Sequence, residues 1–316
     1  LVSVQRIIDD AEVEPVCRTL VGAAGVDGGM TPEQRAVLQA IVWGYWDRPD
    51  LDLGALTPLD PAQAAAAITN PAHRRRLREL MVLLELCRHP LSTDQVQRVD
   101  DYAQALGESG PGLSLARTLV REGAEQAAAD YRRSLRGLEA DLAEPSLRDR
   151  YLDDLQAPDP GLAGRLRALH ELPVGTLGYE YVEFHRRNGF ELPGDDPNMP
   201  AVFVAHDMCH VIGDYEPTGP EEIALGAMQL AVSDTDAHWI AFLGNLSVHE
   251  ARFSDAANLT PKAATLSREG APELLAEALR RGSGCTGDFT TADHLALADV
   301  PLDEVRQRFG VPARSS

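Results

Sequence analysis

Apolar positions recur every three or four residues through most of this chain, and turn residues punctuate them. The stretches "EQRAVLQAIVWGYW", "AQAAAAI", "AHRRRLRELMVLLELCRH" and "DQVQRVDDYAQALG" all follow that period, which predicts amphipathic helices. Their starts are marked. Thr31-Pro32-Glu33-Gln34 offers a cap, a proline at the first helical position and a Gln three residues after the cap. Asp60-Pro61 and Asn70-Pro71 repeat the cap-plus-proline device, and Ser92-Thr93-Asp94-Gln95 reads as a further capping box. A longer amphipathic stretch runs from Leu115 to about Leu155 and is broken by "QAPDPG". "LAGRLRALHEL" and "GTLGYEYVEFHRRNGF" follow, then the proline-rich loop "ELPGDDPNMP". Further helices are predicted near 220–233, 237–250, 261–281 and 302–309. The fold class is therefore all-α: an N-terminal bundle of short helices plus a C-terminal helical domain. The loop-like "GESGPGLS" places one boundary near 108–113, and a second candidate lies near 157. This divides the chain into a helical module over 1–110, a connecting long helix over 111–157 and a second domain over 158–316.

Composition agrees with the pattern. The chain has 316 residues, 44% of them hydrophobic and only 5% aromatic, enough for a sizeable core built by helix formers. The formal net charge of −20 argues against nucleic-acid partners. The dense basic run, Arg74-Arg75-Arg76 with Arg78, sits beside Glu79 and Glu85 and reads as a solvated helix face. Cys17, Cys87, Cys209 and Cys285 are widely spaced, against a disulfide framework or a cysteine zinc site. No signal peptide and no membrane-length apolar run is evident, so the expected setting is cytoplasmic, with peripheral membrane association open.

Candidate chemistry lies in "VAHDMCHVIGDYEPTGPEEIALGAMQLAV", residues 204–232. His206 and His210 are four apart, which on a helix puts them on one face about 5–6 Å apart at Cβ. That spacing suits a divalent ion. Asp207 flanks the same face and is a candidate ligand or general base. Thr218-Gly219-Pro220 announces the next helix. Glu221 occupies the capping-box place after Thr218, whereas Glu222 leads into an apolar face where a carboxylate needs a partner such as that ion. Zn²⁺ suits two histidines and carboxylates best, and Fe²⁺ or Mn²⁺ also fit. The apolar neighbours Val202, Phe203, Val204, Val211 and Ile212 fit a hydrophobic ring substrate and fit ordinary core. Cys209 reads as buried filler. His185 and Glu180 read as a surface pair and a helix-end charge, with a supporting role near the metal as the alternative. His238 and His249-Glu250 read as surface or supporting residues.

The spacing His206-Asp207-x-x-His210, eleven residues, then Glu222-Ile223 resembles the metal motif of the coenzyme Q biosynthesis protein four (COQ-four) family. "LPVGTLGYEYVEFHRRNGF" and "PLDEVRQRFGV" are similar to that family's flanking segments, so the resemblance covers about residues 158–312. It implies that His206, Asp207, His210 and Glu222 hold a metal, with Asp207 also the catalytic candidate. It also implies a helical protein that handles prenylated quinone precursors, removes a ring carboxyl, oxidises that carbon and associates with other biosynthetic enzymes. The family's arginines before the HD pair are replaced here by "MPAVFVA", and Tyr179 stands where an arginine follows Leu-Gly. "LSTDQVQRVDDYAQAL" and "VLQAIVWGYWDRPDL" resemble TerB-like helical modules. The expected partner is a hydrophobic small molecule or isoprenoid lipid, with a homodimer or biosynthetic complex possible. Two other readings stay open: a metal-dependent hydrolase, and a non-enzymatic lipid carrier or scaffold with a structural metal.

Overall fold

A computed structural model describes residues 7–108, 139–147, 158–195, 201–251 and 264–315. The fold is all-α, with no strand among the described residues. The helices are α1 (Asp10–Ala23), α2 (Pro32–Ala40), α3 (Pro61–Ala67), α4 (Pro71–Leu86), α5 (Thr93–Leu106) and the short α6 (Glu139–Leu142). There follow α7 (Pro160–Ala168), α8 (Leu177–Asn188), α9 (Val202–Gly213), α10 (Gly219–Val232), α11 (Asp236–His249), α12 (Ala271–Gly284) and α13 (Leu302–Phe309). Most of the long connecting segment predicted over 111–157 lies outside the described residues.

The capping chemistry forms largely as read. Thr31 and Gln34, and Asp60 and Gln63, make full reciprocal boxes, and Asn70 accepts from the Ala72 N–H. Ser92 accepts from the Gln95 N–H, but the Gln95 side chain turns inward and accepts from Gln34 at 2.8 Å. Thr218 makes no side-chain cap. Glu221 instead accepts from the Glu216 N–H at 2.7 Å and from Arg314 at 3.0 Å, so reciprocal capping gives way to a bond that ties the preceding turn and the C-terminal tail to α10. Helix α1, with Pro15 inside it, has no counterpart in the sequence reading. The helix predicted over 261–281 starts later than read. Gly270 takes a left-handed φ of +80° and α12 begins just after it, with Pro272 in its first turn.

Two cores share a central layer. Helices α1–α5 pack on one side of it, and α7–α9 with α13 on the other. Beyond its acidic first turn, helix α10 is apolar on two faces because it serves both: Ile223, Ala227, Leu230 and Ala231 enter the first core, and Ala224, Leu225, Met228 and Val232 the second. Helix α12 lies against it at a distance only glycine allows, since a Cβ on Gly282 would sit 2.3 Å from the Met228 carbonyl oxygen. Gly44, in a π-helical turn (Ile41–Tyr45), similarly admits Ala276 of α12, whose carbonyl would lie 2.5 Å from an added Cβ.

The basic run on α4 is not a solvated face. Arg75 is exposed, but Arg76 and Arg78 are buried. Arg74 donates to the carbonyls of Ile68, Leu106 and Ala65. Arg76 pairs with Glu79 and with Asp234, and its guanidinium lies 4.3 Å over the Trp239 ring. Asp234 also accepts from Tyr45 Oη at 2.6 Å and Trp239 Nε1 at 2.7 Å. Burial of the Asp234 charge is tolerable because both of its oxygens are used. This residue binds the N-terminal helices to the central layer.

Candidate metal centre

Helices α8, α9 and α10 carry the site. Helix α9 ends where Asp214 adopts a left-handed φ of +61°, which turns the chain so that the Tyr215 carbonyl faces back toward the helix. His210 Nδ1 donates to that carbonyl at 3.0 Å, which leaves the Nε2 lone pair pointing outward as a ligand atom. Phe184 of α8 stacks on the His210 ring, with centroids 5.2 Å apart and planes 24° from parallel. One turn earlier, His206 Nε2 lies 3.1 Å from His210 Nε2. Glu222 enters from the first turn of α10 and aims one oxygen at each ring: Oε2 is 3.4 Å from His206 Nε2, and Oε1 is 3.4 Å from His210 Nε2. Asn245 of α11 donates to the Glu222 carbonyl and steadies that turn.

These three side chains form the group of potential metal ligands found among the described residues, their ligand atoms all within 4.8 Å of one another. The donor set fits a divalent cation. Zinc–ligand bonds of about 2.0–2.1 Å in a tetrahedron place neighbouring donors about 3.3–3.4 Å apart, close to the spacing here. His210 is 1% exposed, Glu222 15% and His206 26%, so the group is reached from the His206 side.

The electrostatics favour positive charge at this point. Burial opposes protonation of His206, but the Glu222 carboxylate beside it, helped by Asp207, raises its pKa to about 9. Burial likewise works against the Glu222 charge, yet His210 and His206 hold that carboxyl well below its usual range. A site that retains a proton this firmly also attracts a metal cation, which takes the same lone pair.

Asp207 does not converge with the other three. It lies about 100° around the helix from His206 and faces α8, where its Oδ2 is 3.0 Å from His185 Nε2. The reading of His185 as one of a surface pair is therefore overturned: it is buried, with Nδ1 donating to the Glu191 carbonyl at 3.0 Å. Its signal was the spacing Tyr181, Phe184, His185, Asn188 along one face of α8. The surface alternative also fails for His238 and Glu250. His238 is buried between the hydroxyls of Thr235 and Thr290, and Glu250 holds His89 and the Leu266 N–H. Cys209 is buried as read. Val204, Val211 and Ile212 belong to the second core, so the core reading holds for them, whereas Phe203 stays half-buried with its ring edge near His206.

The sequence offered no local sign of what fixes the end of α9. Four consecutive carbonyls there are met by three arginines from distant elements. Arg306 donates to those of Val211 and Ile212, Arg281 to that of Gly213 and Arg314 to that of Asp214. Guanidinium forks match the exposed carbonyls of a helix end and complement its dipole.

No family model and no curated protein matches the chain. Among solved structures, a Nostoc punctiforme protein provisionally named for ubiquinone biosynthesis overlaps 78% of this chain and 100% of its own, at 19% identity and a TM-score of 0.35.

Proposed function

We propose that this protein is a metal-dependent enzyme acting on a quinone-like or other hydrophobic aromatic small molecule, with chemistry of the decarboxylation and oxidation type that the COQ-four-like motif implies. The observation that carries the reading is the meeting of His206, His210 and Glu222 from two helices on one point. Those residues would hold the cation, Zn²⁺ by donor preference, with Fe²⁺ or Mn²⁺ compatible. Bound there, such an ion supplies Lewis acidity toward a carbonyl or carboxylate, or activates water. Three protein ligands rather than a closed set of four favour a reactive centre over a structural one. Phe203, half-buried with its ring centroid 6.0 Å from that of His206, is the aromatic side chain nearest the open side of the trio and would contact a ring substrate there. Asp207, one residue from His206 and outside the trio, is the carboxylate suited to proton transfer. No described helix is long and apolar enough to cross a membrane.

Elemental analysis of protein purified without chelator tests this. The expected result is about one equivalent of a divalent metal, largely lost in His210→Ala and in Glu222→Ala. Unchanged metal content in His210→Ala removes the assignment.

A further inference from the structure

The COQ-four-like motif assigns Asp207 to the metal, yet its carboxylate points elsewhere for a reason the neighbouring helix supplies. On α9 the two histidines stand about 40° apart around the axis, and Asp207 lies about 60° beyond His210. On that side the carboxylate meets α8 rather than Glu222. There His185 is caged by the rings of Tyr181, Phe184 and Phe190, with centroids 4.7, 5.9 and 6.2 Å away. The Glu191 carbonyl fixes its rotation through Nδ1, which leaves Nε2 on the side of α9, and Asp207 Oδ2 lies 3.0 Å from it. The approach has the distance of an ion pair rather than the alignment of a hydrogen bond. Both side chains are out of solvent, Asp207 at 5% and His185 at 1%, so water does not compete for the carboxylate. A buried carboxylate deprived of this partner would turn to the nearest positive charge.

The geometry points to His185 as a positioning residue that holds Asp207 off the cation, so that the centre has three protein ligands. This rests on the metal reading above. It makes α8 the element that sets the coordination number, through a residue that touches neither the ion nor a ligand to it. With Asp207 bound as a fourth ligand, the centre would resemble a closed structural site. Kept apart, the carboxylate stays against His185 and the centre keeps a position that no protein group fills.

The test uses full-length protein loaded with Co²⁺, whose visible absorption reports coordination number and donor set. Asp207→Asn keeps the shape of the side chain, and Co²⁺ affinity is expected to fall by no more than about tenfold, whereas Glu222→Gln lowers it by more than about a hundredfold. His185→Phe fills the aromatic cage and releases the carboxylate, and the Co²⁺ spectrum should shift as Asp207 joins the ion. The double variant His185→Phe with Asp207→Asn should return to the wild-type spectrum, which a merely structural role for His185 would not produce. If His185→Phe does not fold, Asp207→Asn still decides. Asp207→Asn losing Co²⁺ as Glu222→Gln does, in a wild type that binds it, overturns the inference alone. An unshifted spectrum in folded His185→Phe does the same. Absence of Co²⁺ binding by wild-type protein overturns the metal reading, and the inference with it.

Discussion

Glu144 and His294 stand 150 residues apart in the chain, yet Oε2 of one lies 2.9 Å from Nδ1 of the other, and both side chains are fully buried. The same carboxylate accepts from the N–H groups of His294 and Leu295. His294 Nε2 donates to the Phe289 carbonyl at 2.8 Å. The segment just after α6 is thereby fastened to the loop that precedes α13. Replacing one member of a buried ion pair leaves the other without compensation, typically at about 3–5 kcal/mol. Glu144→Gln should lower the denaturant midpoint accordingly, and an unchanged midpoint would show that the pair contributes nothing.

The same pair makes stability fall in alkali. Burial disfavours the charged imidazole, but the Cys209 sulfur 3.9 Å away and the Glu144 carboxylate outweigh it and raise the His294 pKa to about 10. Both ring nitrogens face acceptors, which fits the doubly protonated form. A pKa raised above the unfolded value of about 6.5 gives stability that is whole below that pH. It is lost as pH climbs through 10. Thermal melts of wild type from pH 6.5 to 10 should show a progressive drop in Tm, and the drop should be smaller in Glu144→Gln. Parallel curves for the two proteins would refute the linkage.

The helices were legible because their periodicity and caps are local: Thr31 with Gln34, Asp60 with Gln63 and the full span of α13 follow from neighbours in sequence. His206 and His210 were legible for the same reason, since one helical turn fixes their relation. What failed were judgements that needed a partner from elsewhere. Arg76 looked solvated because Asp234, 158 residues away, could not be seen to bury it. His185 looked peripheral because the helix that brings Asp207 to it is separated from α8 by a loop. Charged residues are exposed on average, and the exceptions are set by pairing across the fold.

The arginine cap on α9 predicts that the site is sensitive to the far end of the chain. Arg306 serves two carbonyls with one fork, at 2.9 and 3.1 Å. A lysine carries the charge without the fork geometry. Arg306→Lys should leave at least one carbonyl poorly satisfied, at about 1–3 kcal/mol. Amide exchange in residues 209–215 should quicken relative to the rest of α9. Unaltered exchange there would mean that water replaces the guanidinium without loss.

Close packing of α10 on α12 gives the last prediction. A Cβ at Gly282 would meet the Met228 carbonyl oxygen at 2.3 Å and the Ala231 Cβ at 2.7 Å. Both belong to α10, and the nearer atom is backbone, so no rotamer change relieves the overlap. Gly282→Ala must therefore push α10 away from α12, and overpacking of this kind costs about 1–3 kcal/mol or more. Glu222 rides on α10, so the displacement should also weaken metal retention, although residue 282 is no part of the site. Gly164→Ala is the control: Gly164 is exposed on α7 and nothing lies within 4 Å of an added Cβ. There the substitution should be neutral or stabilising by about 0.5–1 kcal/mol, because alanine loses less backbone freedom on folding. Equal melting temperatures for Gly282→Ala and Gly164→Ala would mean that the helices tolerate separation, and that the position of Glu222 depends on something other than their contact.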